Sequence, residues 1–189
     1  PQGSRFSYFT AQTQALSAVL PAATGSSVSD YLATRLWQPI GAETSALWWA
    51  DKHGVTVGGS AFNATLRDYG RLGIVLANDG VRPDDANRRP IIPRDYLLDA
   101  TDWQRADAPF RPGYDKRYYG YGYQFWLFPS ERRRFAMLGV FGQLLFVDPS
   151  LKLVMVQTAA NATAKASDTS LAREADALWR GLVRHYGAW

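Results

Sequence analysis

The sequence predicts an α+β domain in which helices come first, an antiparallel sheet follows, and one helix closes the chain. Three observations lead there. Residues 10–101 hold several segments with helical periodicity and cap or stop residues. From Tyr121 the pattern changes to short alternating or continuous apolar runs bounded by turn residues. The links between those runs are too short to carry a helical crossover, so neighbouring strands should pair antiparallel. The expected organisation is a mainly helical part over residues 1–117 and a sheet with its C-terminal helix over residues 118–189, both within one domain.

Each element has a local reason. In "TAQTQALSAVLPAATG", Thr10 is a good N-cap type, Leu16, Val19 and Leu20 share a helical face, and Gly25 closes the run. "SSVSDYLATRLWQPIG" offers Ser27 as an N-cap with Asp30 three residues on, close to a capping box. Its apolar stripe is Tyr31, Leu32 and Leu36, ended by Pro39 and Gly41. "AETSALWWADKHGVTVGGSAF" is turn-rich and reads as irregular. A third helix is expected from Asn63, with Leu66, Tyr69, Gly70, Gly73 and Leu76 at helical spacing and a stop between Asn78 and Gly80. Gly70 and Gly73 lower helix propensity, so another element should pack closely on that face. "IIPRDYLLDAT" predicts a short helix with Pro93 in its first turn. Residues 101–117 read as a long loop. "YGYQFWLF", "RRFAMLGV", "QLLFVD" and "LKLVMVQTAA" then read as strands, the last following a "DPS" turn. In the final segment Leu171, Ala175, Leu178, Leu182 and Tyr186 form a stripe that should cover one face of the sheet.

Composition narrows the function classes. The 189 residues are 47% apolar, enough to bury a core, and the 14% aromatic content must line a core or a concave site. The net charge of +4 is spread out, apart from Arg132–Arg134 and the pair Arg88 and Arg89. A run of that size reads as a solvated loop, and no aromatic residues are interleaved on a basic face, so nucleic-acid binding is not expected. The absence of Cys rules out disulfides, a thiolate nucleophile and zinc–thiolate sites. His53 and His185 stand alone, which argues against a histidine metal cluster. No apolar run reaches the roughly 20 residues that span a bilayer.

Two short elements are candidates for chemistry. Tyr8 and Thr10 precede the first helix. A phenol has an ordinary pKa near 10 and becomes a useful base only where a nearby cation favours the phenolate. Two readings stand: a phenol presented beside a hydroxyl, or a buried Tyr with a capping Thr. In "GVFGQ", Gly139 and Gly142 permit unusual dihedrals or the close approach of a ligand. The Gln143 N–H could then donate to a developing oxyanion, or the glycines simply serve a tight hairpin. His53 with Asp51 lacks a G-x-S-x-G elbow and reads as an exposed loop histidine. Trp48, Trp49, Tyr119, Tyr121 and Trp126 either line a cleft or pack in the core.

In their order, "P-x-G-S-x-F-x-Y-x-T", "DYLATRLWQPIGA", "GGSAFNATLRDYGRLGIVLANDG", "YGYGYQFW" and "GVFGQLLFVDPSLKLVMVQT" resemble the C-terminal half of serine hydrolases related to class C β-lactamases and penicillin-binding proteins. The nearest flavour is the 6-aminohexanoate-dimer hydrolase and esterase branch. The resemblance implies a helical subdomain beside an antiparallel sheet, with the N-terminal part of the fold missing. It also implies roles: Tyr8 as the tyrosine that works with a Lys as general base, and Thr10 as a substrate contact. Val140, Phe141 and Gly142 fall where the β-lactamases carry K-T-G, and Gln143 falls where a backbone N–H completes the oxyanion hole. With Val140 in place of the cation, esters or linear amides become the expected substrates rather than β-lactams. No metal or organic cofactor is implied. None of Lys52, Lys116, Lys152 or Lys165 has a Ser three positions before it, so the family's S-x-x-K nucleophile is absent. The expected partner is therefore an N-terminal segment carrying that Ser and Lys, and the chain reads as part of a longer polypeptide that leaves apolar surface uncovered. The alternative is a non-catalytic binding or structural module on the same fold.

Overall fold

A computed structural model describes residues 3–164, 170–187 and 189. Contacts group the chain into two compact units, one comprising Ser7–Arg71 and the other Pro1–Phe6 with Leu72–Trp189.

In the Ser7–Arg71 unit, helix α1 runs from Thr10 to Thr24. Its N-cap is Phe9, in extended conformation and with no side-chain cap bond, so Thr10 is the first helical residue and not the cap expected of it. Gly25 closes the helix in the left-handed region, as its position predicts. Leu16 and Val19 stay exposed, while the buried position of α1 is Ser17. The reason lies opposite: a Cβ on Gly58 would sit 2.6 Å from Ser17 Oγ, so this face accepts only a small side chain.

Helix α2 (Val28–Leu32) starts on the predicted cap. Asp30 N donates to Ser27 Oγ at 3.0 Å, and that hydroxyl donates to the Asp30 carboxylate at 2.7 Å. The helix then widens into a π-helical turn over Ala33–Trp37, where Gln38 N reaches back five residues to Ala33 O. This wider turn shifts the buried face from Leu36 to Trp37 and Ile40. Strands β1 (Leu47–Trp48) and β2 (Phe62–Asn63) pair antiparallel inside the stretch expected to be irregular. Phe62 explains the pairing, since it packs edge-on against both Trp37 and Trp48.

Helix α3 (Leu66–Ala77) begins later than Asn63 because Thr65 and Asp68 build its start. Asp68 N donates to Thr65 Oγ1 at 3.1 Å. The Asp68 carboxylate is buried and accepts from Glu43 N (2.8 Å), Thr44 N (3.3 Å), Thr44 Oγ1 (2.7 Å) and Thr65 Oγ1 (2.8 Å). Arg71 adds an ion pair at 3.1 Å. Burial alone raises this carboxyl's pKa, but those hydrogen bonds outweigh it and bring the group to about 2.

The larger unit is a helix–sheet–helix sandwich. Strands β3 (Gly120–Tyr121), β4 (Trp126–Leu127), β5 (Phe135–Leu138), β6 (Leu144–Asp148) and β7 (Leu153–Gln157) form an antiparallel meander in sequence order, as their short links predict. One face carries Ala136, Leu144 and Phe146, packed with Phe128 against Ala175, Trp179 and Val183 of helix α5 (Ser170–Tyr186). The helix covers the sheet as expected, but along a different stripe. Leu178 and Tyr186 are exposed, and the buried line is Ala175, Trp179 and Val183 at four-residue spacing. The Leu171 side chain lies outside the described residues. On the other face Val154 meets the backbone at Gly73, so the close approach predicted for α3 occurs there. Gly70 has open space around it, and the prediction fails at that position.

Helix α4 (Arg94–Thr101) has Pro93 as its N-cap, one residue ahead of the expected first turn. Short 3₁₀ turns at Ala108–Phe110 and Tyr114–Lys116 punctuate the predicted loop. The run Arg132–Arg134 is not a solvated loop throughout. Arg132 is exposed, Arg133 pairs with Asp79, and Arg134 is buried in an ion pair with Asp148. Among the described residues no helix is long and apolar enough to cross a membrane.

Candidate active site

Tyr8 and Thr10 belong to the Ser7–Arg71 unit, and Val140 to Gln143 belong to the other. Tyr8 precedes α1 with 56% of its surface exposed, so the buried-tyrosine reading does not hold. Thr10 sits beside a loop that sequence reasoning passed over. A Cβ on Gly59 would lie 2.5 Å from Thr10 Cγ2, which leaves glycine as the residue that fits. Gln14 fastens this loop from the next turn of α1: Gly58 N donates to its Oε1 at 2.9 Å, and its Nε2 donates to Thr56 O at 3.1 Å. The available signal was the pair Gly58–Gly59 in "VGGSAF", a local conformational cost that close packing explains.

Val140, Phe141 and Gly142 form a single 3₁₀ turn between β5 and β6. Gly139 N donates across its base to Gln143 O at 2.8 Å. Phe141 and Gly142 both have positive φ, 59° and 88°. For Phe141 that is a strained backbone held by its surroundings. Its N–H donates to Ala164 O, and its carbonyl accepts from Asn161 N at 3.1 Å. Gly142 is required sterically, because a Cβ there would lie 2.5 Å from Asn161 Nδ2. Val140 and Phe141 are 54% and 45% exposed, so the turn offers an apolar surface where a cation was the family expectation.

The remaining candidates separate cleanly. His53 is exposed, and Asp51 Oδ1 accepts from the backbone N–H groups of His53 and Val55, so that carboxylate serves its own turn. Burial pushes the phenol of Tyr119 far up, with Asp176 and Tyr118 adding and Arg180 opposing, which unfits it as a base at neutral pH. Tyr119 packs against the α5 core cluster, and Trp126 does too. Trp49 is exposed, whereas Trp48 lines a cleft of about 420 Å³ with Asp30, Trp37, Glu43 and Phe62. Tyr121 lines a second cleft of about 270 Å³ with Asp99, Arg105 and Phe110. Neither cleft includes Tyr8, Thr10 or residues 140–143. Among the described residues no group of three or more His, Asp or Glu is placed to hold a metal ion.

Comparison with known proteins adds a family to this geometry. The chain is 26% identical over 152 residues to the 6-aminohexanoate-dimer hydrolase of Paenarthrobacter ureafaciens, covering 80% of this chain and 38% of that protein. A structure from Bacillus anthracis, assigned as a 6-aminohexanoate-dimer hydrolase, superposes with a TM-score of 0.82 at 27% identity, covering 98% of this chain and 45% of the other. A β-lactamase from Mycobacterium bovis shares the fold, with a TM-score of 0.69 at 18% identity over 97% of this chain and 65% of its own. The chain thus spans less than half the length of the two 6-aminohexanoate-dimer hydrolase relatives. The Beta-lactamase family model matches residues 1–178, and on that near-complete match the chain belongs to the Beta-lactamase family.

Proposed function

We propose that the complete protein is a serine hydrolase that acts through an acyl-enzyme on esters or linear amides, with this chain supplying its second and third motifs. The observation that carries the reading is the strained, glycine-bearing turn at residues 139–143, set in a chain whose relatives are hydrolases. A serine and a lysine from outside these 189 residues complete the site. Tyr8, beside that lysine, takes the Ser Oγ proton as the oxygen attacks the carbonyl carbon. The Gln143 N–H donates to the oxyanion that forms, a role worth roughly 2.7–4 kcal/mol per donor. Collapse expels an alcohol or amine that picks up the proton, and water then releases the acid by the same steps. Each step moves a proton or an acyl group, so the chemistry requires no cofactor. Thr10 contacts the substrate, and Val140 and Phe141 favour acyl groups without a carboxylate. The missing cation at Val140 motivates that choice, because a substrate carboxylate that gives up water against this apolar turn gains no charged partner in return.

The test joins a serine-directed fluorophosphonate probe to hydrolysis of a p-nitrophenyl ester and of the linear 6-aminohexanoate dimer, on the longest natural product that contains this chain. Labelling at one serine with turnover of either substrate supports the proposal; a product that is neither labelled nor active rejects it. The absence of S-x-x-K from the 189 residues favours a second reading, a non-catalytic binding module. That reading gains if the unlabelled, inactive product still binds such a compound and Tyr8→Phe binds it equally well.

A further inference from the structure

We infer that the Gln143 side chain is a positioning residue that brackets the 140–142 turn, so that its orientation is set before any substrate arrives. The inference rests on the reading above, in which that turn serves the oxyanion. Both ends of the Gln143 amide are engaged by one residue sixteen positions on. Its Nε2 donates to Ala159 O, and its Oε1 accepts from Ala159 N at 3.2 Å. The amide thereby imitates one rung of an antiparallel ladder just beyond the last pairing of β6 with β7, Leu144 with Gln157. Two further bonds close the frame. Gln157 Nε2 donates to Gly142 O at 3.1 Å, and Asn161 N donates to Phe141 O at 3.1 Å. The side chain is therefore not available to substrate, and the chemistry Gln143 can offer is that of its backbone.

The frame has a physical purpose. A turn with a non-glycine residue at positive φ relaxes unless neighbouring bonds over-determine it. An oxyanion donor works by being aimed beforehand, since reorganisation during the reaction cancels its benefit. A glutamine supplies both a donor and an acceptor on a planar group, and thus fixes the segment 159–161, which follows β7, at one distance from the turn. Glutamate keeps the acceptor but sets a carboxylate against the Ala159 carbonyl, and alanine removes both bonds.

Two measurements separate this inference from the function it rests on. Amide hydrogen exchange on the longest natural product that contains this chain should show Ala159 and Asn161 protected. In Gln143→Ala their exchange should rise about tenfold or more, while Phe146 and Val154 in the sheet stay unchanged. Gln143→Glu should fall between, and Gln157→Ala should expose the turn more weakly, which preserves the test if Gln143→Ala does not fold. Unchanged protection at Ala159 and Asn161 in these variants overturns the bracket whatever the activity. In the complete hydrolase, Gln143→Ala should lower kcat by about ten- to a hundredfold with KM within twofold, whereas a purely structural role would lower active fraction and leave kcat per labelled serine intact. The latter result removes the positioning role. Loss of protection in a protein whose parent never reacts with the serine probe would keep the bracket and reject the hydrolase.

Discussion

Arg134 and Asp148 form a buried ion pair, Nε to Oδ2 at 2.5 Å, with the two side chains 1% and 0% exposed. Asp148 also accepts from Ser150 N, Ser150 Oγ and Leu151 N, so one carboxylate both holds the arginine and shapes the β6–β7 turn. Burial raises its pKa, and those bonds together with Arg134 lower it further than burial raises it. Arg134 lies over the ring of Trp189 at 4.9 Å, and Arg180 lies over the same ring at 4.3 Å. Arg134→Met strands the carboxylate and should cost about 3–5 kcal/mol in urea denaturation. Pairing it with Asp148→Asn should recover part of that loss, because no unpaired charge is left inside; a double variant as unstable as the sum of the singles would contradict this.

The acid limb of stability should depend on Asp68. Its folded pKa of about 2 lies below the ordinary 3.8, so it contributes stability that is complete above pH about 4. That contribution is lost as pH falls from about 4 towards 2, where the folded carboxylate takes up its proton. Asp68→Asn should therefore lower the midpoint of thermal unfolding at pH 7 and flatten its decline across that window. A decline as steep as the parent's would assign the acid limb to other groups.

Gly70 and Gly73 lie one turn apart on α3 and should respond oppositely to alanine. Gly70 faces open space, so Gly70→Ala should stabilise by about 0.5–1 kcal/mol through lost chain entropy and better helix propensity. At Gly73 the added methyl meets the branched side chain of Val154, which has little rotamer freedom, so Gly73→Ala should cost about 1–3 kcal/mol. Denaturant midpoints of the two variants, measured side by side, check the contrast.

On the proposed mechanism, Tyr8→Phe should lower kcat for an ester by about 10²–10⁴, the usual worth of a positioned proton carrier. The variant should still fold, because the residue is 56% exposed and outside the buried core. Thr10→Ala should act mainly on KM. Steady-state kinetics with circular dichroism of each variant decides whether the phenol participates or merely sits at the head of the helix.

On the proposed mechanism, Val140→Lys should raise kcat/KM for carboxylate-bearing β-lactams by about ten- to a hundredfold relative to a neutral ester, since a charge-assisted contact contributes roughly 1.5–3 kcal/mol. Val140 is 54% exposed, so the longer side chain has room. Equal effects on charged and neutral substrates would show that position 140 does not meet the acyl group.

Much of the fold was legible in the chain because its signals are local. Ser27 and Asp30 sit three residues apart and make their cap regardless of what surrounds them. The strand links are short, and short links leave antiparallel pairing as the available geometry. The ordered elements around Tyr8 and "GVFGQ" likewise pointed to the family that the whole-chain comparison establishes. What resisted reading is every choice that depends on the facing element. Helical periodicity alone did not decide between Leu178 and Trp179, and the sheet surface beneath α5 selected the tryptophan. Three consecutive arginines look alike in sequence, yet an aspartate fourteen residues away draws Arg134 into the interior. Asp68 reads as an ordinary polar residue, and Gln143 as a backbone donor alone, until the backbone that their side chains bind is placed beside them. Sequence by itself determined the main helices, the meander strands, their order and the family of the chain. Tertiary structure decided which faces are covered and which polar groups hold the turns, because burial and long-range hydrogen bonds are properties of two surfaces meeting and neither surface specifies the other alone.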